Sequence, residues 1–240
     1  MTQPPLQFPF INHFDLFLFD FDGLLVNTEH LHYQAYLVAL AERGISLDWS
    51  FPAFCERAHL NGDALREALV AEAPQLAGEW LQFYEEKKRA YQALIVRGKI
   101  ELMPGVAELL AALEAKQARR CVVTNSTRLQ TDLIKGVLPL LKTLPHWITR
   151  EDYTRPKPDP EGYLRAIALH GQPGDRIIGF EDTIRGLRAL QRTPALPILV
   201  CPHHHPHVEI ALNEGERLIH VESFAGLAER FFLGQGAKNR

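Results

Sequence analysis

The run Asp15-Leu16-Phe17-Leu18-Phe19, ending on Asp20-Phe21-Asp22-Gly23, constrains this chain more than any other stretch of it. A short, uninterrupted apolar run suits a strand buried on both faces, as in a parallel sheet covered by helices. Three later runs have the same form. Cys121-Val122-Val123 precedes Thr124-Asn125-Ser126, Ile177-Ile178-Gly179-Phe180 precedes Glu181-Asp182, and Ile198-Leu199-Val200 lies within Pro197 to Cys201. Helical patterns fall between them. Val106, Leu109, Leu110 and Leu113 share one face behind Pro104-Gly105, with Pro104 expected at the helix start. Tyr163, Ile167 and Ala168 follow Asp159-Pro160, read as a cap with proline at the first helical position. Strands alternating with helices predict an α/β fold, a doubly wound parallel sheet whose ligands bind beyond the carboxyl ends of the strands.

Residues 29–100 read differently. Leu31 to Arg43, Asp63 to Glu72 and Leu76 to Val96 have helical patterns, and no strand stands out among them. An all-helical domain at 29–100 is therefore expected to be inserted into an α/β core made of 1–28 and 101–240. The chain would return to the sheet near Leu102-Met103-Pro104-Gly105, and residues 234–240 are expected to fray.

Composition excludes several classes of function. With 46% hydrophobic and 23% charged residues and a formal net charge of -3, nothing draws the chain to nucleic acid or anionic lipid. No apolar run approaches the roughly 18–20 residues of a membrane helix. The start, MTQPPLQFPF, lacks the charged and apolar parts of a signal peptide. Cys55, Cys121 and Cys201 are odd in number and widely spaced, which argues against disulfides or a zinc knuckle. A cytoplasmic protein is expected; the sequence leaves oligomeric state open, and a monomer is compatible with it.

Two carboxylates at i and i+2 where a buried strand ends call for a chemical explanation. Gly23 permits a tight turn that would bring Asp20 and Asp22 toward one pocket, one to attack phosphorus and the other to handle a proton. Their charges repel each other and any phosphate, so the site requires cations, and Mg²⁺ held by oxygen ligands is the usual answer. Thr124 can donate to a phosphate oxygen. Lys157, within Arg155-Pro156-Lys157-Pro158-Asp159-Pro160, brings a positive charge on a proline-stiffened segment. Glu181 and Asp182 can complete a metal shell. Taken singly, each has a plainer reading: a turn, a helix cap, a loop lysine, an acidic pair at a helix start. Their order along the chain outweighs those readings.

That order resembles the haloacid dehalogenase superfamily, and within it the group with a helical cap that includes β-phosphoglucomutases and many sugar-phosphate phosphatases. DFDGLLVNTE resembles the first family motif, VVTNS the second, RPKPDP the third and GFEDTIRG the fourth, over about Phe14 to Val200. The resemblance implies that Asp20 is a nucleophile forming an aspartyl-phosphate and that Asp22 is general acid and then base, its backbone carbonyl also binding Mg²⁺. It implies that Thr124 and the Asn125 backbone hold the transferring oxygens and that Lys157 neutralises them. Asp182 would bind Mg²⁺ directly, with Glu181 direct or through water. Asn27 stands where the family usually has a second aspartate, a position that supports the turn and cap hinge. Thr28, His32, Arg57 and Asn61 are the further cap or hinge positions. His32 matches a histidine of β-phosphoglucomutase-like sequences, either packed near the hinge or coupling cap closure to Asp22.

The expected reaction is hydrolysis of a small phosphorylated metabolite, a sugar phosphate. The alternative is a phosphosugar mutase. In the loop of the cap expected to face substrate, Glu56-Arg57-Ala58-His59-Leu60-Asn61-Gly62, Arg57 stands near the lysine of the mutases but Asn61 replaces their arginine, which favours a phosphatase. A receiver-type signalling module would carry its aspartate on a later strand and lack the insertion, and a non-catalytic binding protein would show no turnover. Cys201-Pro202-His203-His204-His205-Pro206-His207 reads as an exposed turn rather than a metal site.

Overall fold

The computed structural model describes residues 7–60, 62–98, 100–203, 205–213 and 219–227. The chain divides into two units, one of residues 1–27 and 101–240, the other Thr28–Ile100.

The second unit holds α1 (Glu29–Glu42), α2 (Phe51–Leu60), α3 (Gly62–Glu72) and α4 (Trp80–Arg97), and no strand among its described residues. Tyr36, Ala39 and Leu40 from α1, Phe54 from α2, Leu65 and Leu69 from α3 and Phe83 from α4 form its core. Two expectations need correction. Leu76 does not begin a helix: Pro74–Leu76 is a 3-10 turn, and α4 starts only after Gly78. Glu56, Arg57 and Ala58, read as loop, lie in α2, a helix whose Pro52 falls in its first turn, where no amide bond is lost. Asn61 lies outside the described residues, as do residues 234–240.

The first unit is built on β1 (Leu16–Phe19), β2 (Arg119–Val123), β3 (His146–Ile148), β4 (Ile177–Glu181), β5 (Leu196–Val200) and β6 (His220–Val221). They form one parallel sheet in the order β3-β2-β1-β4-β5-β6. Around it are α5 (Val106–Ala115), α6 (Arg128–Val137), α7 (Glu161–His170), α8 (Ile184–Gln191) and α9 (Pro206–Asn213). β1 explains the uninterrupted apolar run. Its side chains alternate between faces, and both faces are covered. Leu16 and Leu18 pack with Cys121, Val123, Tyr163 and Leu190. On the other face Phe19 stacks on Phe180 at 5.2 Å and Phe17 meets Phe10 at 6.3 Å. All four β1 residues have zero exposure. At about 1.5–3 kcal/mol for each such side chain buried, this strand anchors the sheet.

The register then decides what meets at the carboxyl edge. Phe19 lies opposite Val122 and Phe180, so β1, β2 and β4 finish nearly level. β3 and β6 escaped the sequence reading because three and two residues are too few to show a period. α5 starts at Val106 rather than Pro104, because Met103 N–H first bonds the Leu25 carbonyl and a turn from Met103 to Val106 holds the proline. α7 starts at Glu161, with Pro160 at the cap position and Asp159 Oδ1 accepting the Glu161 N–H. Its buried face carries Tyr163 and Ala166, while Ala168 is exposed. Five positions after Tyr163 is about 140° around the helix, too far for a shared face. No helix among the described residues is long and apolar enough to cross a membrane.

Candidate active site

Asp20 follows β1 directly, and its N–H bonds the Phe180 carbonyl at 3.0 Å, extending the β1–β4 pairing by one residue. The chain then turns. Gly23 N–H bonds the Val26 carbonyl at 2.9 Å, and Gly23 itself has φ +80°, in the left-handed region. A Cβ at Gly23 would run into Asp182 Oδ2, so glycine here is needed both for the turn and for the approach of the two carboxylate loops.

Lys157 enters from the loop before α7 and is almost wholly buried. Its Nζ donates to Asp20 Oδ1, to the Val123 carbonyl at 2.8 Å, and forms an ion pair with Glu181 Oε1 at 2.7 Å. Burial alone would lower the pKa of this lysine. The charges of Asp20 and Glu181 outweigh that and raise it, so the side chain is a fixed cation. Tyr163 donates to the same Glu181 oxygen at 2.5 Å, and burial lifts the pKa of its hydroxyl well above the usual phenol value. Glu181 is pushed upward by burial, against the pull of Lys157.

Asp20, Glu181 and Asp182 each place a carboxylate oxygen within 4.8 Å of the others, and all three are buried. One lysine cannot neutralise three carboxylates, and a buried excess of negative charge is costly. Among the described residues Glu181 Oε2 is buried and has no hydrogen-bond partner. An all-oxygen donor set with an unused buried carboxylate atom fits a hard divalent cation. Gly186 gives Glu181 its room, since a Cβ there would collide with the carboxylate. The carboxylate of Asp22 is not part of the cluster, so its expected metal contact rests on the backbone carbonyl alone.

Asp22 faces the loop after β2 instead. Ser126 Oγ donates to Asp22 Oδ2 at 2.6 Å, and Thr124 Oγ1 lies 3.4 Å from the same atom. Thr124 is buried, its N–H bonding the Ile148 carbonyl at 3.0 Å. The Asn125 side chain turns away: its Oδ1 lies 2.6 Å from the Tyr153 hydroxyl and 3.4 Å from the Lys157 N–H, which ties the β2 loop to the lysine loop. Sequence reading overlooked Ser126, Tyr153 and the role of Tyr163. Ser126 lay inside the quoted VVTNS string, two residues beyond Thr124, and that spacing was the one available signal.

In the helical unit, His32 Nδ1 lies 2.8 Å from Lys87 Nζ, and its ring stacks on Tyr91 at 4.1 Å. Burial, then the Lys87 charge, hold its pKa well below the usual histidine value. Thr28 is fully buried and accepts the His32 N–H through its carbonyl at 3.1 Å. Arg57 is pinned over the Trp49 ring at 4.4 Å and donates to the Ala53 carbonyl. Asn27 has an exposed side chain. Its recorded bond runs from the backbone N–H to the Glu101 carbonyl at 3.0 Å, which an aspartate would make equally well. The histidine run is not simply an exposed turn, because His207 is fully buried at the start of α9. His204 lies outside the described residues. Among those described, only the Asp20 cluster gathers three potential metal ligands.

Residues 14–192 match the model of the haloacid dehalogenase-like hydrolases. The chain belongs to that family. Validoxylamine A 7'-phosphate phosphatase of Streptomyces hygroscopicus subsp. limoneus is 32% identical, over 73% of this chain and 80% of that protein. Protein CbbY of Rhodobacter capsulatus is 28% identical, over 78% and 85% of the two chains. The crystal structure of a CbbY mutant from Rhodobacter sphaeroides in complex with xylulose-(1,5)bisphosphate superposes with a TM-score of 0.70 at 25% identity, covering 88% of this chain and 95% of that one. The chain is thus an enzyme of the haloacid dehalogenase-like hydrolases, in the branch with a helical insert. Hydrolases of this family that act on phosphate esters generally use a divalent metal, and the buried cluster provides for one.

Proposed function

We propose that this chain is an Mg²⁺-dependent phosphatase that removes phosphate from a small phosphorylated metabolite, a sugar phosphate, through an aspartyl-phosphate on Asp20. The observation that carries the reading is the buried cluster itself: Asp20 at the end of β1, tied to Lys157 and facing Glu181 and Asp182. The related proteins whose names specify phosphorylated compounds support the substrate class.

Asp20 attacks phosphorus, and the bond from phosphorus to the alcohol oxygen breaks. Asp22 gives its proton to the departing oxygen. It then takes a proton from water, whose oxygen attacks the aspartyl-phosphate and releases inorganic phosphate with Asp20 restored. Thr124 and the Asn125 backbone hold the transferring oxygens, and Lys157 balances their charge. A Mg²⁺ held by Asp20, Glu181, Asp182 and the Asp22 carbonyl would supply further charge neutralisation. We assign the choice of substrate to the helical unit, with Thr28, His32 and Arg57 as its cap or hinge positions. The three free cysteines suit a reducing cytosol.

The test is phosphate release across a panel of sugar phosphates and other phosphate esters, with Mg²⁺ and with EDTA, against Asp20→Asn. Release that needs both the metal and Asp20 supports the reading. A folded wild type that releases phosphate from no member overturns it. Isomer formation with a bisphosphate primer would then identify the mutase.

A further inference from the structure

Glu181 closes β4 with a carboxylate whose two oxygens have different surroundings. Oε1 accepts from the Tyr163 hydroxyl at 2.5 Å and pairs with Lys157 Nζ at 2.7 Å. Oε2 is buried and, among the described residues, has no hydrogen-bond partner. The two donors on Oε1 differ in what they can fix. Lys157 is a flexible stem whose ammonium also serves Asp20 and the Val123 carbonyl, so it keeps two acceptors whichever way Glu181 turns. Tyr163 has a single proton to donate, on a ring with no room to shift. It lies in the first turn of α7, has zero exposure, and packs with Leu16, Leu18, Cys121 and Val123. Gly162 before it sits so close to β2 that a Cβ there would lie 3.0 Å from Val123 Cγ1. Gly186 of α8 adjoins the same carboxylate, and a Cβ there would overlap its carbon and both oxygens. Glu181 is thus bounded by a helix-borne phenol and by the backbone of a second helix.

The geometry points to Tyr163 as a positioning residue that sets which divalent cation the acidic cluster prefers: by holding Oε1 it presents Glu181 as a one-oxygen ligand, which suits Mg²⁺ and disfavours Ca²⁺. This rests on the metal assignment in the reading above. Mg²⁺ is small and requires near-ideal octahedral geometry, with oxygens at about 2.0–2.1 Å. Ca²⁺ takes roughly six to eight oxygens at longer range and accepts both oxygens of one carboxylate. A glutamate whose second oxygen is committed to a phenol and an ammonium offers only one, in an orientation fixed before the ion arrives. Holding a ligand in this way is worth on the order of 10–100-fold in metal affinity. Without the phenol the carboxylate is freer to rotate. The ordering that Mg²⁺ needs must then be supplied on binding, and the pair of oxygens becomes open to the larger ion.

The experiment is calorimetric titration of the metal-stripped full chain with MgCl₂ and, separately, CaCl₂, at fixed pH and ionic strength and with no substrate present. Wild type, Tyr163→Phe, Glu181→Gln and the double variant are compared. Phenylalanine keeps the buried ring, and circular dichroism checks that each chain is folded. Tyr163→Phe is expected to weaken Mg²⁺ binding at least about tenfold and to change Ca²⁺ binding less than about threefold, so that the preference for Mg²⁺ falls. Glu181→Gln gives a second reading, independent of how Tyr163→Phe folds: it too is expected to lose most of the preference. In the Glu181→Gln background, Tyr163→Phe should change Mg²⁺ binding by less than about twofold, because the phenol acts through Glu181. Equal losses for both ions in Tyr163→Phe would overturn the inference and make the phenol a general support of the cluster. No loss for either ion, or a preference left intact in Glu181→Gln, would overturn it too. A wild type that takes up no Mg²⁺ sinks the metal assignment itself. That outcome is distinct from a wild type that binds Mg²⁺ and a Tyr163→Phe chain that keeps its preference.

Discussion

Lys157 has three N–H bonds to give and three acceptors in place: Asp20, Glu181 and the Val123 carbonyl. Removing that cation leaves two buried carboxylates facing each other. Lys157→Met is therefore expected to lower stability in EDTA by about 3–5 kcal/mol, the usual cost of breaking a buried pair from one side. Urea denaturation with and without Mg²⁺ measures it, and a bound divalent cation should narrow the gap. A loss below about 1 kcal/mol in EDTA, the range of exposed pairs, would show that the carboxylates are solvated rather than buried. Gly186 is the opposite case, where one added carbon does the damage. Gly186→Ala drives a Cβ into the Glu181 carboxylate, so the Mg²⁺ concentration for half-maximal activity should rise at least about tenfold. An unchanged metal requirement would separate Glu181 from the metal. At this scale the residues that gather here were legible where a residue type and its place at a strand end coincide, as at Asp20, Thr124, Glu181 and Asp182, while Lys157 stood out by its proline-flanked loop. Ser126 and Tyr163 were not legible in that way, because serines and tyrosines are common and nothing in the chain tells which acceptor each will meet.

The element that delivers Lys157 is held by a residue outside the site. Glu161, the first residue of α7, accepts the Thr154 N–H at 2.9 Å and the Arg155 N–H at 3.0 Å, which clamps the loop across 154–161. Those two amides, then the Arg155 side chain, lower its pKa to about 2. A carboxylate with a lowered folded-state pKa contributes stability above its unfolded value of about 4.3 and loses it as pH falls toward the folded value. The urea midpoint of Glu161→Gln should therefore lie below that of wild type at pH 6, with the difference shrinking between about pH 4.5 and 2. A difference independent of pH would mean that the clamp is not ionic. Element boundaries followed the same logic of local against tertiary control. β1, β2, β4 and β5 are apolar enough to declare themselves, whereas β3 is a strand because it pairs Cys121 to Val123 with His146 to Ile148. α2 was read as loop because Pro52 and the polar Glu56-Arg57 pair hide a helix that buries Phe54 against Tyr36.

Across the whole molecule, the two ends of the helical insertion meet within the sheet unit. Asn27 N–H bonds the Glu101 carbonyl at 3.0 Å, and Val26 bridges Leu102. Ends already at hydrogen-bond distance can be joined by a short linker without deforming the sheet. Replacing residues 28–100 with a short Gly-Ser linker should leave a sheet unit that unfolds cooperatively by circular dichroism; a non-cooperative transition would show that the insert is needed for the sheet to fold. The division into a strand-rich unit and a helical one was readable from the chain because the apolar period changes at both borders, and so was the parallel α/β class, because β1 is apolar on every residue. The acidic residues that gather at the sheet edge were readable from their order along the chain, because taken singly each has a plainer use. Tertiary structure alone decided the rest. Which hydroxyl holds Asp22, which phenol holds Glu181, and that His207 faces inward follow from the register of β1 against β2 and β4 and from helix packing. Those are contacts between residues as far as 104 positions apart, and no local pattern in the chain specifies them.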